Sequence, residues 1–173
     1  MGELWDVYDQ VRNKTGRFHE RGTPMTKGDY HLIVQVWILN NNGQYLITKR
    51  SPSQSFWPNR WHTTGGCAVA GDDSLTTALK EAREELGVSL APQNGQLFTS
   101  FSRAHDKDDG HAFYDIWLFR QEIELADIVI QEEEICDAKW ASAQDIRDII
   151  KHEAFIPAGE CPYVEKLFAY CEM

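Results

Sequence analysis

Glu81, Glu84 and Glu85 occur in KEAREEL at relative positions i, i+3 and i+4. On a helix that spacing puts three carboxylates on one arc, each near the others. Like charges so placed oppose the helix by about 0.2–0.5 kcal/mol per pair. A hard divalent cation would remove that penalty. Mg²⁺ prefers carboxylate oxygens, keeps several waters and takes further ligands from substrate phosphates. Acidic runs are also common as solvated helix faces, so the trio alone leaves both readings open.

The element that must carry these acids is the stretch 65–88, GGCAVAGDDSLTTALKEAREELGV. It reads as a glycine-rich turn followed by one amphipathic helix. At ~100° per residue, Leu75, Ala78, Leu79, Ala82 and Leu86 share a core-facing stripe beside the acidic arc. Around it the pattern is mostly β. LWDVYD, the turn RNKTG and RFHERG read as a hairpin over 4–21. HLIVQVWIL (31–39) reads as a central strand and QYLITKR (44–50) as its hairpin partner. A loop with two prolines, SPSQSFWPN (51–59), and a short strand at 61–64 lead into Gly65. After the helix, strands are expected over 96–103 and 110–120, joined by HDKDDG. A weaker strand follows over 122–129 and a short one over 138–140. Ser142 is a suitable N-cap for a helix through Lys151, and Pro162 opens a last helix. The order predicts an α+β domain with a mixed sheet between helices.

A longer pattern frames the trio: Gly66, five residues, Asp72, seven residues, then Lys80, Glu81, Ala82, Arg83, Glu84, Glu85, Leu86, Gly87 and Val88. It resembles the signature of the Nudix hydrolase family in register throughout. Asp72 stands where that family has Glu, and Lys80 where it has Arg. Both changes keep the sign of charge, but Lys lacks the planar fork of Arg. The resemblance implies a Nudix α/β/α sandwich, with residues 30–152 as its core, 1–29 as an N-terminal hairpin extension and 153–173 as a C-terminal helical segment of a single domain. It implies hydrolysis of a diphosphate linkage in a nucleoside diphosphate derivative or related organic diphosphate. It assigns metal ligation to Glu81, Glu85, Glu84 and the Gly65 carbonyl, with Mg²⁺ as the cofactor and Mn²⁺ as a substitute. Glu84, Glu85 and Lys80 take the catalytic positions, Glu84 as a ligand or as the group that activates water.

Family members often add an acid from outside the signature, and two candidates stand here. Asp115 lies among apolar residues in FYDIWLF, where a carboxylate needs a partner or sits on a solvent face. Glu134 lies in the acidic loop QEEEICD. Arg50 ends a strand beside the expected cleft and could bind phosphate, or be a surface cation. Phe56, Trp57 and Trp61 could stack on a base, or anchor a loop and core. His31 could touch substrate, or be structural.

Residues 16–61 also resemble the Nudix subgroup of isopentenyl-diphosphate isomerases, through RSPSQSFWPNRW. That enzyme's cysteine falls at Gly65 here, its following histidine at Cys67 and its strand glutamate at Asp115, while His31 matches one of its two upstream histidines. Without a thiol at 65 the proton-transfer pair is incomplete. A binding module on the same fold is the third reading, because fold does not settle function.

The remaining features set bounds. A chain of 173 residues with 42% hydrophobic and 25% charged residues suits one globular domain. A net charge of −10 argues against nucleic acid or anionic membrane as partner. Cys67, Cys136, Cys161 and Cys171 show no metal-binding spacing and read as reduced thiols. With no signal-peptide pattern and no apolar run near ~20 residues, a cytoplasmic enzyme is expected. The expected partner is a small-molecule diphosphate, and the family adds the expectation of a homodimer. Substrate choice should reside in loops 51–59 and 105–110.

Overall fold

The computed structural model describes residues 2–104 and 111–173. Its nine strands, in chain order, are β1 Leu4–Tyr8, β2 Lys14–Glu20, β3 Tyr30–Leu39, β4 Gln44–Arg50, β5 Trp61–His62, β6 Thr64–Cys67, β7 Gly95–Ala104, β8 His111–Arg120 and β9 Ile135–Ser142. Three α-helices complete it: α1 Ser74–Leu86, α2 Ala143–Lys151 and α3 Val164–Glu172.

β3 is the spine. One flank runs parallel to β8 from Tyr30↔His111 to Leu39↔Arg120. The other flank is shared antiparallel by β1 at Tyr8↔Tyr30, β6 over Ile33–Val36 and β4 at Leu39↔Tyr45. Side chains alternate across a strand, and β3 obeys this. Val34, Val36 and Ile38 pack with Ala78, Ala82 and Leu86 of α1. Trp37 and Leu39 pack on the other face with Ile146 of α2 and Leu167 and Phe168 of α3. The result is the α+β sandwich with a mixed sheet that the sequence predicts, with the β1–β2 hairpin added on one side.

α1 is capped at both ends by its own sequence. The Asp73 side chain accepts from the Thr76 amide, and Gly87 closes the helix in the left-handed region at φ 66°. Ser142 forms a full capping box with Asp145 at the start of α2.

Four expectations need correction. Gly65 and Gly66 are not in a turn but in β6, paired with Gln35 and Val34. Glycine is required there because a Cβ at Gly65 would collide with the Val34 carbonyl oxygen. Residues 122–129 form no strand; the chain makes a single 3₁₀ turn at Leu125–Asp127. β9 is eight residues long rather than three, because its polar start is held by the ladder to β4. The last helix begins at Val164 rather than at Pro162. The loop 105–110 lies outside the described residues.

Candidate active site

A cleft of about 400 Å³ opens where the C-terminal half of α1 meets β6. Its acidic floor comes from Glu81, Glu84 and Glu85, and Gly65, Lys80, Arg50 and Glu134 also line it. Arg50 reaches it from the end of β4, and Glu134 from the turn before β9. Helix periodicity delivers the three glutamates because the neighbouring arc of α1 is fixed in the core by Ala78, Ala82 and Leu86.

Exposure separates the trio. Glu85 is buried at 8% exposure and accepts a hydrogen bond from the Thr64 hydroxyl. Glu81 is half-buried and Glu84 is exposed. The Glu81 carboxylate fills the space in which a Cβ of residue 66 would stand. Burial, then the charges of Glu84 and Glu134, pushes the Glu81 carboxyl up to about 7, although Arg21 opposes this. Burial pushes Glu85 up to about 8; the Thr64 hydroxyl and Arg50 oppose it, while Glu81 and Glu134 add to it. Two carboxyls held so far above their ordinary range carry an unmet demand for positive charge.

The donor set can take a divalent ion only with help from other ligands. Among the described residues, no three acidic, histidine or cysteine side chains are gathered tightly enough to chelate an ion by themselves. A pair of inward carboxylates beside a glycine strand suits a divalent ion that completes its shell with water and ligand phosphate.

The two departures from the family signature meet each other. Lys80 Nζ lies 2.6 Å from Asp72 Oδ2. The shorter acid faces the point-charge cation, and the two form an ion pair. Arg50 is held by its loop: Nε donates to the Phe56 carbonyl at 2.8 Å and Nη2 to Gln54 at 3.1 Å.

Several sequence candidates lie away from this cleft. Asp115 is 1% exposed and is gripped by Arg12 at 2.8 and 2.5 Å and by the Ser100 hydroxyl at 2.6 Å. Burial opposes its charge, but Arg12, Ser100 and Ser74 overcome this and hold the carboxyl below its usual range. His31 is buried in a stack on Trp5, with ring centroids 4.4 Å apart. Trp57 and Phe56 are exposed, and the Arg60 guanidinium lies 5.8 Å from the Trp57 ring. Trp61 packs on the α2–α3 side of the sheet, under the Lys139 ammonium at 4.4 Å.

The cleft also contains residues that sequence reasoning passed over. His62 lines it, and burial together with Arg50 drives its imidazole down to about 3, so it stays neutral. Glu3 and Arg21 reach it from the two ends of the β1–β2 hairpin. Nothing local marks these residues; the long-range pairing of the hairpin brings them in. Thr64 stands directly before the glycine pair and donates its hydroxyl to Glu85.

The NUDIX domain model matches residues 29–159. An uncharacterised Nudix hydrolase of Listeria monocytogenes is 32% identical over 156 residues, covering 90% of this chain and 89% of that protein. Isopentenyl-diphosphate Delta-isomerase of Escherichia coli is more distant, at 24% identity over 67% of this chain and 64% of its own. Among solved structures, a Deinococcus radiodurans protein aligns with a TM-score of 0.73 at 22% identity, covering 99% of this chain and 100% of that one. A MutT protein of Methanosarcina mazei aligns at 0.65 and 18% identity, over 82% and 94% of the two chains. Members of this family generally use divalent ions. The matched domain spans most of the sequence and has the acidic helix near its middle, so the chain belongs to the Nudix family and is, by class, a pyrophosphohydrolase acting on phosphoric anhydrides.

Proposed function

We propose that this protein is a Mg²⁺-dependent hydrolase of the diphosphate linkage in a nucleoside diphosphate derivative or related organic diphosphate. The observation that carries the reading is the pair of inward carboxylates, Glu81 and Glu85, set in a polar cleft that Arg21 and Arg50 also line. Glu81, Glu85 and the Gly65 carbonyl would hold the ion, with Glu84 at the mouth. Bound there, the ion would neutralise the diphosphate and acidify an attacking water. Arg50 orients a phosphoryl group by charge-assisted hydrogen bonds. Glu84, exposed at the mouth of the cleft, would be the group that accepts a proton from water. Lys80, tied to Asp72, steadies the turn that bears Glu81 and Glu84. Glu134 tightens the demand for a cation.

The isomerase reading is disfavoured by space. Its thiol would have to stand at residue 65, where a side chain meets the backbone of β3. The test is a panel of nucleoside diphosphate derivatives and isopentenyl diphosphate, with and without Mg²⁺, beside Glu85→Gln. Metal-dependent release of monophosphate, reduced at least 100-fold in the variant, supports hydrolysis. Conversion of isopentenyl diphosphate to its allylic isomer, or tight binding without turnover, would overturn it.

A further inference from the structure

The β1–β2 hairpin precedes the matched domain, yet it is fastened to it along its length. The Ala70 amide donates to the Leu4 carbonyl at 2.7 Å, and the Gly71 amide to Asp6 at 2.8 Å. Arg12 in the hairpin turn grips buried Asp115. These ties hold Glu3 and Arg21, at the hairpin's two ends, on the wall of the cleft.

Among the described residues three cations line the cleft, and they are not equally engaged. Lys80 is paired with Asp72, and Arg50 is bound by Phe56 and Gln54. The Arg21 guanidinium makes one long contact, 3.4 Å to Glu3, and its side chain is 59% exposed. Glu81 lies against Gly66, from which the chain runs on to Ala70 and its bond to Leu4 of the hairpin. Glu85 is bonded to Thr64, two residues after His62, which pairs with Thr48 of the strand that ends at Arg50. Those two acids are four residues apart, about 6 Å along the helix axis. Two guanidinium forks therefore bracket the acidic row, and each matches the oxygens of a phosphoryl group. Among the described residues no Phe, Tyr or Trp lines the cleft. As far as the described residues go, the walls offer charge, hydrogen bonds and the His62 imidazole, with no indole, phenol or phenyl face on which a base could stack.

We propose that Arg21 is a substrate-binding residue that takes the phosphoryl group at the Glu81 end while Arg50 takes the one at the Glu85 end. The recognised unit is the diphosphate itself, and the organic group extends outside. This rests on the hydrolase reading above.

The test uses methylenediphosphonate, whose P–C–P bridge resists hydrolysis, titrated calorimetrically with Mg²⁺ into the full chain. Arg21→Gln should weaken binding about tenfold or more, while orthophosphate binding falls much less. Arg21→Lys should recover part of the loss. Arg17→Gln, a hairpin control whose arginine pairs with Asp29 away from the cleft, should bind like the wild type. Methylene-bridged ADP should bind within about tenfold of the bare diphosphonate. Undiminished binding by Arg21→Gln, with loss in Glu85→Gln, overturns the role of Arg21 and spares the hydrolase reading. A methylene-bridged ADP bound more than about 100-fold tighter overturns the recognition of the diphosphate alone. Failure of the wild type to bind any of these with Mg²⁺ overturns both.

Discussion

Glu85 is costly to the folded protein when no cation is near. Its carboxyl is raised from an ordinary 4.5 to about 8. Between those two values the folded chain holds a proton that the unfolded chain has released. Stability therefore falls as pH rises from about 4.5 to about 8. Glu85→Gln removes the titration and still accepts from Thr64. We expect the metal-free variant to be more stable than the wild type by about 1–3 kcal/mol at pH 8 and nearly equal to it at pH 4. Denaturant titrations at the two pH values would check this, and an unchanged difference would refute it. Gly66 offers a sharper probe. Its missing Cβ makes room for the end of the Glu81 side chain, which is flexible. Gly66→Ala should leave the melting temperature within a few degrees yet displace Glu81, weakening Mn²⁺ binding by about tenfold or more. Titration calorimetry beside thermal melts would separate these effects.

At the scale of elements, the sequence was most legible where local rules govern. Helix α1, its acidic arc and the Ser142 cap follow from spacing and cap chemistry, and β4 from alternation. The strand at Gly65–Gly66 was hidden because glycine usually marks a turn, whereas here it marks two places where other groups come too close for a side chain. The polar start of β9 was hidden because its pairing partner is far away in sequence. Asp115 drew attention as a buried acid, but its partner Arg12 is 103 residues earlier, in a turn that looks like ordinary surface. That bond joins the hairpin to β8. Arg12→Ala would leave a buried carboxylate with Ser100 and no countercharge. A loss of about 1–3 kcal/mol is expected at pH 7, reduced from the fully buried case because Arg12 is itself 36% exposed. Asp115 has a depressed carboxyl, so its contribution is present above its ordinary value of 3.8 and lost as pH falls through the lower folded value. The gap between variant and wild type should therefore narrow in acid. Adding Asp115→Asn to Arg12→Ala should restore part of the loss in a thermal melt.

Across the whole molecule, the hairpin forms one of the sheet's borders. β2 pairs with β1, and among the described residues its outer side meets no other strand. Its sequence, KTGRFHE, is almost wholly exposed, and Lys14, Arg17 and Glu20 interrupt it with charge. Gly16 breaks its regularity at φ 79°. A strand so studded makes a poor template for stacking against its own kind. The arm that supplies Arg21 can thus stand at the margin of the sheet without inviting the fibrillar growth that a smooth, greasy border would seed.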